Sequence, residues 1–238
     1  MARPFLKSPN HWLHATLEPD PTLGLIMRVD SGGTPSTTES EHLDGDIPWL
    51  TPKDISNHTD RMLVSSTERM LTRKGLQNSG SRLFPAGTVM LTKRAPVGLV
   101  AINAAPMATN QGFLNFQCGP LLRPLYLAYW LKANRAYLEM VANGSTYPEL
   151  YASDLFEFEI AAPPLDVQDA ILKVVNAVQY IRLIGLPLEQ LAFTPEQLTE
   201  VQEHNRHLSI VHDTLLVKLL SGEIETSRLS PRLAEVVL

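Results

Sequence analysis

Thr88-Val89-Met90-Leu91-Thr92-Lys93-Arg94-Ala95-Pro96-Val97-Gly98-Leu99-Val100-Ala101-Ile102 is the stretch whose reading decides the fold. Two short apolar runs rich in β-branched residues flank a turn that holds proline and glycine, which predicts two strands and a tight connection. Pro85-Ala86-Gly87 punctuates the chain just before the first run. Upstream, Pro48-Trp49-Leu50 before Thr51-Pro52 reads as another strand, while Ser66 to Lys74 is more helix-like. Downstream, Leu121, Leu125, Tyr129 and Trp130 recur at helical spacing, followed by Leu131, Tyr137, Leu138 and Val141; this predicts one helix starting after Pro124. The first 160 or so residues therefore read as mixed α/β with many loops.

Pro163-Pro164 marks a change of texture. Ile171, Val174, Val178 and Ile181 repeat at intervals of 3, 4 and 3 residues, the seam of a helix that meets another helix. Gly185 and Pro187 interrupt it. Thr194-Pro195-Glu196-Gln197 then supplies an N-cap, a first-turn proline and a capping-box glutamine. Leu198, Val201, Asn205, Leu208, His212, Leu215 and Leu219 follow at strict a/d spacing. A buried Asn205 would cost stability but fix register and partner. On periodicity alone, packing of both helices against the chain's own globular part is the reading preferred over an oligomer.

Composition sets the class. Of 238 residues, 44% are hydrophobic and 19% charged, which suits a globular domain able to build its own core. Cys118 is the single cysteine, so neither an intramolecular disulfide nor a multi-cysteine metal site is available. The start of the chain does not read as a signal peptide, and no apolar run approaches the roughly 18 residues of a membrane helix, so the expected location is the cytoplasm, away from any membrane. The net charge of −5 is unevenly spread. Residues 49–100 carry eight basic side chains against three acidic ones, whereas 149–225 carry thirteen acidic against four basic. Two charge regimes point to two jobs, or to chance segregation on solvated faces.

Catalytic machinery is missing from the motifs. The one Pro-Pro, in Ala162-Pro163-Pro164-Leu165, lacks the amide or carboxylate and the aromatic ring that a methyltransferase acting on DNA amino groups needs. None of the seven lysines follows an acidic residue by two positions, as commonly found in metal-dependent nucleases. Asp30-Ser31-Gly32-Gly33-Thr34 lacks the ending of a phosphate loop. His204 and His207 are a poor start for a metal site, and no nucleophile elbow occurs. The expectation is a chain with no catalytic residue, no metal and no cofactor of its own.

Several strings in order resemble the target-recognition domain of type I restriction–modification specificity subunits. They are Ser31-Gly32-Gly33-Thr34-Pro35-Ser36, Gly45-Asp46-Ile47-Pro48-Trp49-Leu50-Thr51-Pro52-Lys53-Asp54-Ile55 and Leu83-Phe84-Pro85-Ala86-Gly87-Thr88-Val89. Thr92-Lys93-Arg94-Ala95-Pro96-Val97-Gly98, Ala108-Thr109-Asn110-Gln111-Gly112-Phe113, Asn143-Gly144-Ser145-Thr146-Tyr147 and Pro163-Pro164-Leu165 follow. The end, His212 to Ile224, is similar to the helical tail of such subunits. The resemblance implies an α+β chain: a mixed α/β target-recognition, DNA-binding domain over residues 1–164, with a small twisted sheet and loops. Long C-terminal helices over 165–238 would then form a coiled-coil-like dimer or spacer.

The departure from the family is dosage, because its members usually carry two recognition domains. The chain is therefore either a half-subunit that dimerises through its helices or a fragment. Set against the family, the a/d seams favour a helical homodimer through Ile171, Val174, Val178, Ile181, Leu198, Val201, Asn205, Leu208, Leu215 and Leu219. Such a two-fold dimer would read an interrupted palindrome in double-stranded DNA. The implied partners are DNA methyltransferase (modification) subunits, which bring S-adenosylmethionine and flip the target adenine, and a restriction subunit as a further candidate.

Base reading needs Arg or Lys for guanine and Asn or Gln for adenine, on loops that enter a groove. Arg94, after Lys93, is a candidate for a base or a phosphate, its alternative being a surface salt bridge. Asn110 and Gln111 have suitable amides, yet Asn-Gln-Gly equally suits a turn bonded to its own backbone. Lys53 and Asp54 offer a phosphate contact and an acceptor. Gly33 and Thr34, with Ser145 and Thr146, could bring backbone amides to phosphates, or could serve close loop packing. Motifs shared by a family whose members read different sequences suit scaffold better than readout, so readers could also lie in Ser56 to Asp60 or Gln77 to Arg82.

Overall fold

The computed structural model describes residues 12–56, 62–142 and 148–172, together with 175 and 221. The chain divides into two compact units, one of residues 14–160 and one combining 1–13 with 161–238.

The 14–160 unit is a mixed α/β domain. In chain order it carries strands β1 (Leu13–Thr16), β2 (Ile26–Ser31) and β3 (Leu43–Leu50), then helix α1 (Pro52–Ser56). Strands β4 (Leu63–Val64) and β5 (Met70–Leu71) and helix α2 (Arg73–Asn78) follow. Next come β6 (Val89–Thr92), β7 (Val100–Asn103), β8 (Ala108–Thr109) and β9 (Phe113–Cys118). Helices α3 (Pro124–Ala133), α4 (Arg135–Val141) and α5 (Ala152–Phe156) lead to β10 (Glu159–Ala162).

Strands β2, β9, β6, β7 and β4 form a five-stranded sheet in that order, antiparallel except for the β7–β4 pair. Strands β5, β3 and β8 form a second sheet, with β3 and β8 parallel; β1 pairs with β10. Residues of β6 and β7 are buried on both faces, which is why they read as continuous apolar runs rather than as alternation. One core cluster joins Leu50, Ile55, Phe84, Met90, Ala101, Met107 and Phe113; another joins Trp49, Leu71 and Ala108.

Two sequence expectations shift. The helix expected to run unbroken to Val141 is divided at Asn134, which leaves the α region at φ −96 and ψ 12. Its side-chain amide donates to the Trp130 carbonyl at 2.8 Å, a local bond that competes with helix continuation. The second shift is at 66–74, where Met70 and Leu71 form a strand against β3 because Leu71 fills the core. The helix begins only at Arg73, where Thr72 caps it by accepting from the Gly75 amide at 3.0 Å. By contrast α3 starts at Pro124, and every residue from Tyr126 to Leu131 is buried. A helix apolar all round has to be an interior one.

In the second unit, residues 165–172 are helical and start on Pro164, whose carbonyl accepts from the amides of Val167 and Gln168. The Gln168 side chain is buried and donates to the Pro163 carbonyl at 2.8 Å. Ile171 is buried. Val174, Val178, Ile181, Leu198, Val201, Asn205, Leu208, Leu215 and Leu219 lie outside the described residues, as do the long helices expected there. No helix among the described residues is long and apolar enough to cross a membrane.

One of the two tightest backbone approaches in the 14–160 unit is at Gly33, the other being at Gly75. A Cβ there would lie 2.1 Å from the Ser79 carbonyl oxygen and 2.5 Å from the Ser81 amide nitrogen. Neither is a flexible side-chain end that could swing aside. Gly33→Ala is therefore expected to destabilise the protein by about 2 kcal/mol or more through overpacking, measured as a lowered urea midpoint; an unchanged midpoint would mean that the loop gives way freely.

Candidate nucleic-acid interface

Three loops at the ends of strands and the segment around Glu149 meet, and backbone bonds stitch them together. The loop after β2 is tied to β8 by Gly33 N–H donating to the Thr109 carbonyl at 3.0 Å. The loop after β8 is tied to β3 by Asn110 N–H donating to the Leu50 carbonyl at 3.0 Å. The loop after β6 joins the same row through Lys93 N–H and the Gly112 carbonyl at 2.8 Å. Leu150 N–H donates to the Lys93 carbonyl at 2.8 Å, which brings residue 149 alongside Arg94. Gly33, Thr34, Lys93, Arg94, Asn110 and Gln111 thus belong to one edge, while Lys53 and Asp54 lie on α1, which follows β3.

Within this edge the candidates divide by what their polar groups already do. Gly33 is buried, its amide used by Thr109 and its carbonyl accepting from the Trp49 indole N–H at 3.1 Å. Asp54 accepts from the Thr51 amide at 2.8 Å and its hydroxyl at 2.6 Å, and from the Glu68 amide at 2.9 Å, which fixes the start of α1. Asn110 accepts from the Gly112 amide at 2.9 Å, a turn closed by its own side chain. Gly33, Asp54 and Asn110 therefore have their named groups engaged in holding loops.

Thr34, Gln111, Lys53 and Arg94 are exposed. The Thr34 hydroxyl donates to Gln111 Oε1, so two of the loops present a joined polar pair. Lys53 Nζ lies 2.9 Å from Glu68 Oε2, with both side chains more than half exposed; such a pair contributes little and exchanges partners easily. Arg94 Nε and Lys93 Nζ both reach Glu149 Oε1, at 3.2 and 3.1 Å. Lys93 is mostly covered, and its Nζ also points to Ser31 Oγ at 3.5 Å. Ser145 and Thr146 lie outside the described residues.

Glu149 and Asp30 are the residues that sequence reasoning did not single out. Asp30 pairs with Arg28 and, at 3.4 Å, with Arg82, the last residue of one of the stretches set aside for possible readers. Nothing local in the sequence marks Glu149, because Lys93 and Arg94 lie far from it along the chain; Asp30 has Arg28 beside it on β2, but its pairing with Arg82 is equally distant in sequence. Together they alter the charge picture. The basic excess of residues 49–100 is not a bare patch, since Asp30 and Glu149, both from outside that stretch, neutralise part of it. Among the described residues the tightest group of metal-ligating side chains is Glu39, Glu41 and His42. Lys74 already pairs with Glu41 there, and His42 with Glu39.

A scan of known families matches residues 22–188 to the type I restriction modification DNA specificity domain. The chain belongs to this family. The specificity domain is 42% identical over 153 residues to the MjaIX specificity subunit of Methanocaldococcus jannaschii, covering 63% of this chain and 35% of that protein. It is 25% identical over 163 residues to the EcoR124I/EcoR124II specificity subunit of Escherichia coli, covering 65% and 39%. The match thus spans well under half the length of these relatives. Among solved structures, the HsdS subunit from Thermoanaerobacter tengcongensis superposes with a TM-score of 0.56 at 16% identity, covering 94% of this chain and 48% of that one, a likeness of fold.

Burial by itself disfavours an ionised Glu149, but the hydrogen bonds and charges of Arg94 and Lys93 outweigh it and hold the carboxyl below the usual glutamate range. A carboxyl depressed in the folded state stabilises the fold above its unfolded pKa, and that stabilisation disappears as pH falls through the folded value. Glu149→Gln is thus expected to melt below the wild type at neutral pH. Thermal melts taken down from pH 7 should show the difference shrinking once pH drops below about 4.3, the ordinary glutamate value. A difference that stays constant down to pH 3 would deny the ion pairs this role.

Proposed function

We propose that this chain is the DNA-recognition component of a type I or type I-like restriction–modification complex and performs no chemistry itself. The observation that carries the reading is the stitched edge, whose loops expose Thr34, Arg94 and Gln111, with Lys53 exposed on α1 just after β3. In a chain of the DNA specificity family, such an edge suits a duplex groove: amide and guanidinium groups for base edges, a mobile lysine for phosphates. Gly33, Asp54 and Asn110 shape the loops, and Lys93 anchors Glu149. A separate adenine methyltransferase supplies S-adenosylmethionine and the target flip, and a restriction subunit joins where cleavage occurs. The acidic, helix-forming stretch beyond Pro164 docks these partners and pairs two copies of the chain.

Pairing by two-fold symmetry has a readable consequence. DNA from cells expressing this chain with its cognate methyltransferase is expected to carry methyladenine in one interrupted palindrome, detected by single-molecule sequencing. No motif beyond the methyltransferase-only control would refute the recognition role. A motif with two unlike halves would refute the homodimer.

Lys53 provides a separate check on the face. If it exchanges Glu68 for a phosphate, Lys53→Ala should weaken binding of all duplexes alike and lower the slope of log affinity against log salt by about 0.9. A salt slope equal to that of the wild type removes Lys53 from the interface.

A further inference from the structure

We infer that Glu149 is a positioning residue that presets Arg94 to read a guanine rather than to grip a phosphate. This rests on the stitched edge being the DNA face. Glu149 Oε1 takes Arg94 through Nε, at 3.2 Å. A guanidinium held by Nε keeps its Nη1–Nη2 end free, and that end has the spacing of guanine O6 and N7. The same carboxylate oxygen is held from the other side by Lys93 Nζ at 3.1 Å. The backbone fixes the arrangement as well, since Arg94 and Glu149 face each other across a β-bridge and Leu150 N–H bonds the Lys93 carbonyl. Exposure follows the same division: Lys93 is 13% exposed and Glu149 18%, while Arg94 is 49% exposed. The anchor is covered and the reader is presented.

Charge separates the two roles. Phosphate binding draws its strength from net positive charge and counterion release. A carboxylate set between two cations at the DNA face cancels one of them, which weakens phosphate attraction. What it supplies is orientation: a long side chain held in one geometry loses less freedom on binding, and a fixed fork distinguishes bases where a loose one does not. Lys53 is the contrasting case, since its partner Glu68 is as exposed as itself and neither is fixed.

The test uses the full chain assembled with its methyltransferase, on duplexes in which each G·C pair of the methylated half-site is changed in turn to A·T. The wild type is expected to lose roughly tenfold in affinity at the guanine read by Arg94. Glu149→Gln should abolish most of that discrimination at this one position and retain it at the others. Having lost a negative charge, it should bind non-specific duplex at low salt at least as tightly as the wild type. Arg94→Lys, which keeps the charge and loses the fork, should lose the same position. The inference is overturned if Glu149→Gln keeps full discrimination, or weakens every duplex alike as a structural residue would. It is equally overturned if Arg94→Lys discriminates normally, or if the half-site holds no guanine. A wild-type particle that methylates no motif instead sinks the recognition reading itself, and the inference with it.

Discussion

The backbone of Gly33 is bonded on both sides. Its N–H donates to the Thr109 carbonyl and its carbonyl accepts the indole N–H of Trp49, which is itself buried in the second core cluster. The Cβ-free approach to Ser79, Gly80 and Ser81 brings a third segment against the same point. Ser81 Oγ then donates to the Thr109 carbonyl that Gly33 also uses. Three loops are therefore referred to one rigid position, and the exposed side chains beside it inherit that rigidity. A loop that must present a side chain to a partner gains most when its backbone is fixed before the partner arrives.

The second constraint is electrostatic. Each cation of this edge with a described ionic partner is matched by a carboxylate: Lys53 by Glu68, Arg82 by Asp30, Lys93 and Arg94 by Glu149. A face built this way relies less on long-range attraction than a lysine-rich patch does, and depends more on groups being correctly placed at contact. The net charge of −5 is no obstacle to DNA recognition on these terms.

The strands flanking Lys93–Gly98 were legible because β6 and β7 are buried on both faces, so that their apolar runs were uninterrupted. Pro124 at the head of α3 was legible for its fixed φ. The division at Asn134 was not, since a single side-chain bond to the Trp130 carbonyl decides it and leaves the periodicity intact. Strand β5 was hidden for a different reason: two residues carry no period, and only the pairing of Leu71 with β3 makes them a strand. The candidate edge was visible as motifs, because glycine, asparagine and threonine at loop positions have few other uses. The roles of Glu149 and of Asp30 toward Arg82 were invisible, since those carboxylates acquire their meaning from partners that the fold delivers from distant parts of the chain.

Several of the motif residues that carry the family resemblance turn out to hold loops together. Thr92 Oγ1 donates to the Pro96 carbonyl at 2.6 Å and accepts from the Leu99 amide at 2.9 Å, closing the turn on which Arg94 stands. Asp54 fastens Thr51 and Glu68, and Asn110 fastens Gly112. A shared motif of this kind specifies where a loop goes and leaves open which base it reads. Recognition then depends on the exposed positions between the fasteners, where a side chain can change without loosening any bond of the frame. One scaffold can serve many targets on that division of labour, and it explains why a motif strong enough to place this chain in its family carries no information about its DNA sequence.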